Sequence, residues 1–571
     1  MPTKTLQGIG ASPGLVIGPI LCYEVPKLVV ERQKVEHPEQ EISRLQEALH
    51  QAQQEVNALS VQAMRDGGSG EAAIFEVHEM FLSDPDLLQQ VRSTIETQHC
   101  NAEYAWQEAI HAYAETLRTL GDEYLAERTQ DIEDVQQRVL RILQGASTQA
   151  THLEKPVVIV SADLAPSDTV VLEKKKVLAF CTASGGPTSH VAILSKALGI
   201  PAVVGLGEDI RHLDNDTLVI VDGTHGTVLI EPDAATIDLY RQRIDAHSQR
   251  QREALKYAHQ PATTLDGKRI EIAANLGGPT EAQAALEYGA EGVGLLRTEF
   301  LFLNRDAAPD EEEQTAVYRE IMQGMGQHPV VARTLDIGGD KPAPYLQLPA
   351  EMNPFLGIRG LRLTLMLPEL FQTQLKALLR AGAGHHLKIM FPMVTSCEEI
   401  QQARCHIEQA RADLSARGIE AATHYEIGIM VEVPAAALIA DRLAEVVDFF
   451  SIGTNDLAQY TLAADRTNTS VTGLADALHP AVLRLIQMVI EAARPHHRWV
   501  GICGELAGDT LATPVLLGLG LDELSMNARA IPLVKQTIRR YTSIEARSIA
   551  MHALALDSAT EVRAYLQQQA R

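Results

Sequence analysis

IGIMVEVPAAALIADRLAEVVDFFSIGTND, residues 427–456, decides how the second half of the chain folds. Its apolar runs at 427–433 and 447–453 have strand length, and the spacing between them is that of one β-α unit. The same beat continues in both directions. Strand candidates stand at 269–275, 292–297, 329–336, 387–392, 427–433, 447–453, 499–503 and 521–526. Eight such units in residues 261–571 fit a (β/α)8 TIM-type barrel, which takes about 250 residues. An open doubly wound sheet is the alternative, but no GxGxxG follows the first strand.

Barrel chemistry gathers at the C-terminal ends of the strands. Here those ends carry Asn275, Arg297-Thr298-Glu299, Arg333 through Asp336, Glu432, Asn455-Asp456 and Cys503-Gly504-Glu505. Arg359 and Arg466 lie in adjoining loops. A guanidinium fork suits phosphate and carboxylate, because it binds two oxygens at once. A surface ion pair explains any one of these arginines, but four on one rim point to an anionic substrate. Glu432 interrupts an apolar strand, and it and Asp456 should end neighbouring strands. Two hard oxygen ligands, completed by substrate oxygens and water, are what Mg²⁺ takes. A salt bridge from Glu432 to a rim arginine is the alternative.

The first half reads differently. Residues 1–21 and 146–232 hold short strand-like runs such as PVVIVSA, KVLAF and TLVIV,. Residues 22–145 are helical in pattern. Ile42, Leu45, Leu49, Ala52, Val56, Leu59 and Ala63 form a narrow apolar seam, and Asp84-Pro85 reads as N-cap and first helical residue,. This zone is expected to be helical hairpins inserted into an α/β domain, with a coiled coil as the alternative for the seam. Residues 233–260 are polar and helix-favouring, a helical linker to the barrel. At 184–204 stands SGGPTSHVAILSKALGIPAVV. Ser189 is an N-cap candidate, and His190 opens an apolar helix. The positive field at a helix start keeps an imidazole neutral and nucleophilic, and free backbone N–H groups there would meet a phosphate. A lone helix-start histidine is more often structural, so the spacing alone leaves both readings open.

Composition bounds the rest. Apolar residues make up 46% and charged residues 22%, values of a soluble globular chain, which excludes disorder, collagen and a transmembrane bundle,. No uncharged run approaches the roughly 18 to 20 residues of a spanning helix, and MPTKTLQGIGASPG lacks the apolar core of a secretory signal. A net charge of −25 argues against nucleic acid and anionic membranes and suits a basic protein partner,. Aromatic content of 4% supplies no stacking platform for single strands,. Cys22, Cys100, Cys181, Cys397, Cys405 and Cys503 are scattered without CxxC spacing, as in a reducing cytoplasm with neither disulfides nor structural zinc,.

Over nearly its whole length the sequence resembles Enzyme I of the bacterial sugar phosphotransferase system, the phosphoenolpyruvate–protein phosphotransferase family. The strings that carry the resemblance are GIGASPG (8–14), FEVHEMFLSD (75–84), DEYLAER (122–128), GGPTSH (185–190) and GLLRTEFLF (294–302). RTLDIGGDKP (333–342), NPFLGIRGLR (353–362), IGIMVEVPAAA (427–437), SIGTNDLAQYTLAADR (451–466) and GICGELAGD (501–509) continue it in order. The resemblance implies a cytoplasmic enzyme whose swivelling domain is phosphorylated at Nε2 of His190 by phosphoenolpyruvate and Mg²⁺ held on the barrel rim. The phosphoryl group then passes to a histidine of the carrier protein HPr, and pyruvate is released. By motif match, Arg297, Arg333, Arg359, Arg466 and Asn455 would bind substrate, and Glu432 and Asp456 the metal. Cys503 would protonate the enolate. A thiol near its free pKa of about 8.5 is protonated at pH 7 and can donate; a small buried apolar residue is the alternative for it. His78, Phe81, Asp84, Asp86, Leu87 and Arg128 match the carrier-docking face, and the barrel would form a homodimer.

One position departs from the pattern: Pro187 stands where many relatives carry a basic residue. That removes a charge beside the transferring phosphate and stiffens the turn. Two competing readings remain. Phosphoenolpyruvate synthase and pyruvate phosphate dikinase share the histidine turn and barrel, but carry a nucleotide-binding domain ahead of the histidine. Fewer than about 190 residues precede it here, with no Gly-rich phosphate loop. A non-catalytic regulatory paralogue would need none of the rim arginines, carboxylates or Cys503.

Overall fold

The computed structural model describes residues 4–23, 28, 30–66, 75, 78–119, 123–145, 153–164, 176–186, 189–303, 305, 307–338, 343–346, 348–349, 351–466, 468 and 471–570; the side chains of 61–66, 116–119, 123–130, 190, 193, 196–197, 247 and 472 lie outside it. The chain divides into two compact units, Met1–Ala246 and His247–Arg571.

In the first unit eight strands make one mixed sheet. They are β1 (Lys4–Gln7), β2 (Ile9–Ser12), β3 (Leu15–Cys22), β4 (Val157–Ser161), β5 (Val177–Thr182), β6 (Ala202–Val204), β7 (Leu218–Asp222) and β8 (Thr227–Ile230). Their order is β1-β8-β7-β3-β4-β5-β6-β2, with β3 to β6 parallel. β4 is buried along its whole length because both of its faces are covered,. Val158 and Val160 pack with Val219 and Ile210 on one side, while Val157 and Ile159 pack with Val191 on the other. Val191 belongs to the helix His190–Leu198, so the predicted helix start is the observed one.

Between β3 and β4 run the helices Pro38–Asp66, Pro85–Gln98, Ala102–Thr119 and Glu123–Leu143. Their seams share one core. Leu45, Leu49, Ala52 and Val56 meet Val91, Trp106 and Val135 there, all buried. The seam is thus the inner edge of a helical bundle and not a coiled coil. Asp84 caps Pro85–Gln98 as the sequence implies, its Oδ1 accepting from the amides of Asp86 and Leu87 at 2.9 Å each.

A helix spans Ala234–Lys256. Its C-terminal end is fixed to the second unit: Lys535 Nζ donates to the carbonyl of Ala258 at 3.0 Å, and the Arg539 guanidinium to those of Tyr257, Gln260 and Pro261. After the short β9 (Ala262–Thr263) come the eight parallel strands β10 (Arg269–Leu276), β11 (Val293–Arg297), β12 (Val330–Arg333), β13 (Leu387–Phe391), β14 (Tyr425–Val431), β15 (Phe449–Ile452), β16 (Trp499–Ile502) and β17 (Glu523–Met526). Each pairs with the next, and β10 pairs with both β11 and β17, so the sheet closes into the predicted barrel. Alternation decides what fills it. Ile427, Ile429 and Val431 of β14 face the surrounding helices, whereas Met430 joins Leu295, Val331, Met390 and Phe449 inside.

Candidate active site at the barrel rim

Burial of charge on the rim is tolerated because the charges alternate. Arg333 holds Glu299 at 2.8 Å and Asp336 at 3.1 Å. Asp336 also holds Arg359 at 2.9 Å, and Arg359 reaches Asp456 at 3.2 Å. Arg466 closes the row, 3.7 Å from the second oxygen of Asp456. Burial disfavours a charged guanidinium, but the surrounding carboxylates more than offset it, so Arg333 and Arg359 titrate above the ordinary arginine value,. Arg359 and Arg466 both lie 5.9 Å from the Phe355 ring,. Arg297, at the end of β11, is exposed and makes no ion pair among the described residues.

A second, uncharged shell sets the backbone that carries these groups. The buried amide of Gln374 donates to the Thr298 hydroxyl at 3.1 Å and to Tyr318 at 3.2 Å. Its carbonyl accepts from the amide of Leu335 at 2.9 Å, and Thr298 donates to the carbonyl of Arg333 at 2.8 Å. The segment 333–336 is therefore pinned at both ends.

Glu432 directly follows β14, and Asp456 stands in the helix Thr454–Leu462 directly after β15. β14 and β15 are neighbours, so the two carboxylates end adjacent strands as expected. One Glu432 oxygen accepts from the amide of Met393 at 2.7 Å; Met393 holds φ at 57°, a strained value for that side chain,. The other oxygen is buried without a hydrogen bond. Burial, with the charges of Asp456 and Asp336, pushes the Glu432 carboxyl up to about 8 despite Arg359 and Arg333. A buried carboxylate with one orphan oxygen, close to a second carboxylate, is a donor set that fits a hard dication. Among the described residues no third protein carboxylate, His or Cys joins them in a metal-type cluster.

Cys503 follows β16 with 3% exposure, and burial pushes its thiol up to about 11. Asn275 Nδ2 donates to its carbonyl at 2.9 Å, and Asn455 Oδ1 accepts from the amide of Glu505 at 3.2 Å. These bonds tie the end of β16 to those of β10 and β15. The partners of the arginines, Glu299 and Asp336, stand in the strand-end strings but carry no signal of their own role. Tyr460, which accepts from Arg359 at 3.2 Å, and Met393 have none either, since their contacts arise only from closure of the barrel.

In the first unit, Gly185 turns the chain at φ 96° before the helix His190–Leu198. Ser189, expected as the cap, does not act as one. Its hydroxyl is buried against Gly185, 3.3 Å from where a Cβ would sit, and makes no hydrogen bond. Pro187, Thr188 and the His190 side chain lie outside the described residues. Of the expected docking residues, two belong to the core. His78 is fully buried beneath Phe75, its nitrogens 3.8 and 4.0 Å from Asp131 and Asp134, and Leu87 is buried among the helices. Both lie on the inward stripe of their helices. Phe81 is half-buried against Tyr113, Asp86 is exposed, and Asp84 is the helix cap. The Arg128 side chain lies outside the described residues. Met80, 70% exposed beside Phe81, is a surface group that the motif match did not single out.

Residues 7–128 match the family described as PEP-utilising enzyme, N-terminal; residues 153–226 match the mobile domain of the PEP-utilising enzymes, and residues 251–543 their PEP-binding domain. The chain is 44% identical over 561 residues to the phosphoenolpyruvate-protein phosphotransferase of Priestia megaterium, covering 98% of each chain. It is 44% identical over 566 residues to that of Bacillus subtilis, covering 99% of each. An NMR solution structure of Enzyme I, 39% identical, covers 43% of this chain and 99% of its own, with a TM-score of 0.38. With relatives this similar along nearly every residue, the chain belongs to the phosphoenolpyruvate–protein phosphotransferase family of PEP-utilising enzymes.

Proposed function

We propose that this protein is a phosphoenolpyruvate–protein phosphotransferase that phosphorylates its own His190 and passes the phosphoryl group to a histidine of HPr, releasing pyruvate. The observation that carries the reading is the buried alternating row Glu299–Arg333–Asp336–Arg359–Asp456–Arg466 with a protonated thiol below it. Phosphoryl transfer asks a protein mostly for positioning and charge neutralisation. Arg333 and Arg359 are held in place before substrate arrives, so little reorganisation remains. Arg297 and Arg466, at the open side, would take the phosphate and carboxylate, with Asn455 assisting.

Glu432 and Asp456 would hold Mg²⁺, which supplies Lewis-acid neutralisation of phosphate oxygens when bound. Nε2 of His190 attacks phosphorus, and the bond from phosphorus to the enol oxygen breaks. The S–H of Cys503 gives its proton to C3 of the enolate, yielding pyruvate. The thiol suits this task because burial keeps it protonated well above neutral pH. Backbone N–H groups at the start of the helix His190–Leu198 would receive the transferred phosphate,. No helix among the described residues is long and apolar enough to cross a membrane. We assign the enzyme to the cytoplasm and to a homodimer through its barrel, with HPr docking on the surface around Phe81, Asp84 and Asp86.

Phosphoenolpyruvate labelled in its phosphate, with Mg²⁺ and no ATP, tests this. Acid-labile, base-stable label is expected on the wild type and none on His190→Ala. Unlabelled wild type would overturn the reading in favour of a regulator or a nucleotide-dependent enzyme.

A further inference from the structure

The barrel interior has two unlike halves. Leu295, Val331, Met390 and Met430, from β11 to β14, form a continuous apolar side. On the side of β15, β16, β17 and β10, Ser451, Glu523, Ser525, Asn275 and Glu271 bring polar groups in beside Phe449, Trp499 and Cys503. Barrel cores are ordinarily packed with branched apolar side chains throughout. Here a carboxyl stands in the middle, and small residues make room for it. Glu523 Oε1 lies 2.5 Å from where a Cβ on Gly294 would sit and 3.1 Å from the corresponding place on Gly501. Glu523 is 3% exposed, Oε1 has no hydrogen-bond partner, and no ion pair reaches it among the described residues. A buried carboxyl kept in a tailored space without a cation calls for a reason.

Its neighbours give one. Gly501 and Glu523 are in register, so the next interior layer, about 7 Å toward the rim, brings Cys503 beside Ser525,. The Ser525 hydroxyl is 2.6 Å from the same Gly294 Cβ place, hence within about 5 Å of Glu523 Oε1, and it donates to Asn275 at 2.6 Å,. Toward the other end, Glu271 is the register partner of Glu523. Glu271, Lys388 and Glu426 line a cavity of about 1000 Å³ at the N-terminal mouth of the barrel. Lys388 is 3.6 Å from Glu426 and 4.1 Å from the Trp499 ring, which stacks on Phe449. The charged groups facing Glu523 are thus Glu271 on β10, Lys388 on β13 and Glu426 on β14, with the Cys503 thiol above; the strands β11 and β15 present no charged group there, only Gly294, Leu295, Phe449 and Ser451.

We infer that Glu523 resupplies the proton Cys503 gives up at each turnover, drawing it from solvent through the N-terminal mouth of the barrel. The inference rests on the reading of Cys503 as the donor. After the S–H proton has gone to C3, its electron pair stays on sulfur as a buried thiolate, with substrate and arginines above it. The O–H of the Glu523 carboxylic acid breaks, and its proton passes across the hydroxyl-lined layer to sulfur, leaving a carboxylate. That carboxylate takes a proton from water in the mouth cavity, by way of Glu271. The sum is one solvent proton delivered to the methyl group of pyruvate. Burial and the Glu271 charge push the Glu523 carboxyl up to about 8, against Lys388, so it holds its proton at neutral pH. Glu523 acts only through Cys503 and does not touch substrate.

Glu523→Gln keeps size and removes the transferable proton. In rapid-quench assays of the full chain with phosphoenolpyruvate, Mg²⁺ and HPr, its first turnover of pyruvate is expected at the wild-type rate. Its steady-state rate is expected to fall at least tenfold, with KM for phosphoenolpyruvate falling in proportion because the slowed step follows release of pyruvate. Equal steady-state rates, or first turnover and steady state falling together as for a structural lesion, would overturn the inference. The wild-type chain gives a test that needs no variant. Its steady-state rate should decline as pH rises through about 8, while the first turnover holds until the thiol itself ionises near 11. Parallel profiles would also overturn it. Cys503→Ala separates the two levels: pyruvate formed at full rate by that variant removes the donor reading itself, whereas its loss beside a normal Glu523→Gln sinks only the relay.

Discussion

Asp336 accepts from two guanidiniums at once and is 1% exposed, so its charge has no solvent to fall back on. Removing one partner of a buried pair costs about 3–5 kcal/mol, much of it from the charge left alone. Asp336→Asn keeps the shape and leaves Arg333 and Arg359 with one anchor each. The variant is expected to be less stable by about 3 kcal/mol, and separately to lose roughly a hundredfold in kcat/KM for phosphoenolpyruvate-dependent phosphorylation as the arginines lose their fixed placement. Less than a threefold change in initial rates would show that the arginines are placed by their loops alone. At this scale the sequence discloses the cations more readily than their anchors. An arginine at a strand end advertises anion binding wherever it points. The pairing of Asp336 with Arg359 depends on how a loop folds back over the barrel, and no spacing encodes that.

The helix Pro85–Gln98 shows how one residue can serve an element and an interface together. Asp84 is both its cap and a member of the proposed carrier face. Asparagine caps about as well as aspartate, whereas alanine loses about 1 kcal/mol. Asp84→Asn is therefore expected to leave the melting temperature within about 1 °C, since loss of a full 1 kcal/mol moves it by a few degrees. The KM for a basic carrier should rise several-fold as the charge goes. An unchanged KM in steady-state transfer would assign Asp84 to the helix alone. Elements were well legible because their periods are physical. Each of the eight barrel strands begins and ends within a few residues of its apolar run, and the cap at Asp84 needs only local geometry. Ser189 was misread for a reason equally local: the Gly185 turn draws its hydroxyl inward before the helix starts. A motif names His78 and Leu87 without saying which side of a helix they occupy, and their burial is visible only in the folded bundle.

At the scale of the whole chain, the proposed reaction is divided between Met1–Ala246, which carries His190, and His247–Arg571, which carries the rim. Damage to one unit should leave the other's half-reaction standing. Arg333→Gln is expected to abolish labelling from phosphoenolpyruvate while the full-length protein still accepts label from phosphorylated HPr. His190→Ala should lose both labellings yet still bind phosphoenolpyruvate in calorimetry. Equal failure of Arg333→Gln in both directions would dissolve the division. The two-part architecture was legible from composition and strand counting. The polar half of the barrel interior was not, because Glu523 and Ser525 sit among apolar letters whose inward or outward direction appears only once the strands are in register. The alternating rim row has a last consequence. Arg297, Arg333, Arg359 and Arg466 face Glu299, Asp336, Glu432 and Asp456, and the four charges of each sign balance only once a bound dication has displaced the proton that the raised Glu432 carboxyl holds near neutral pH. Such a mouth behaves like an ion exchanger that admits salt and refuses single ions: a dication alone or a polyanion alone would unbalance it, and each should bind far more tightly when the other is already there.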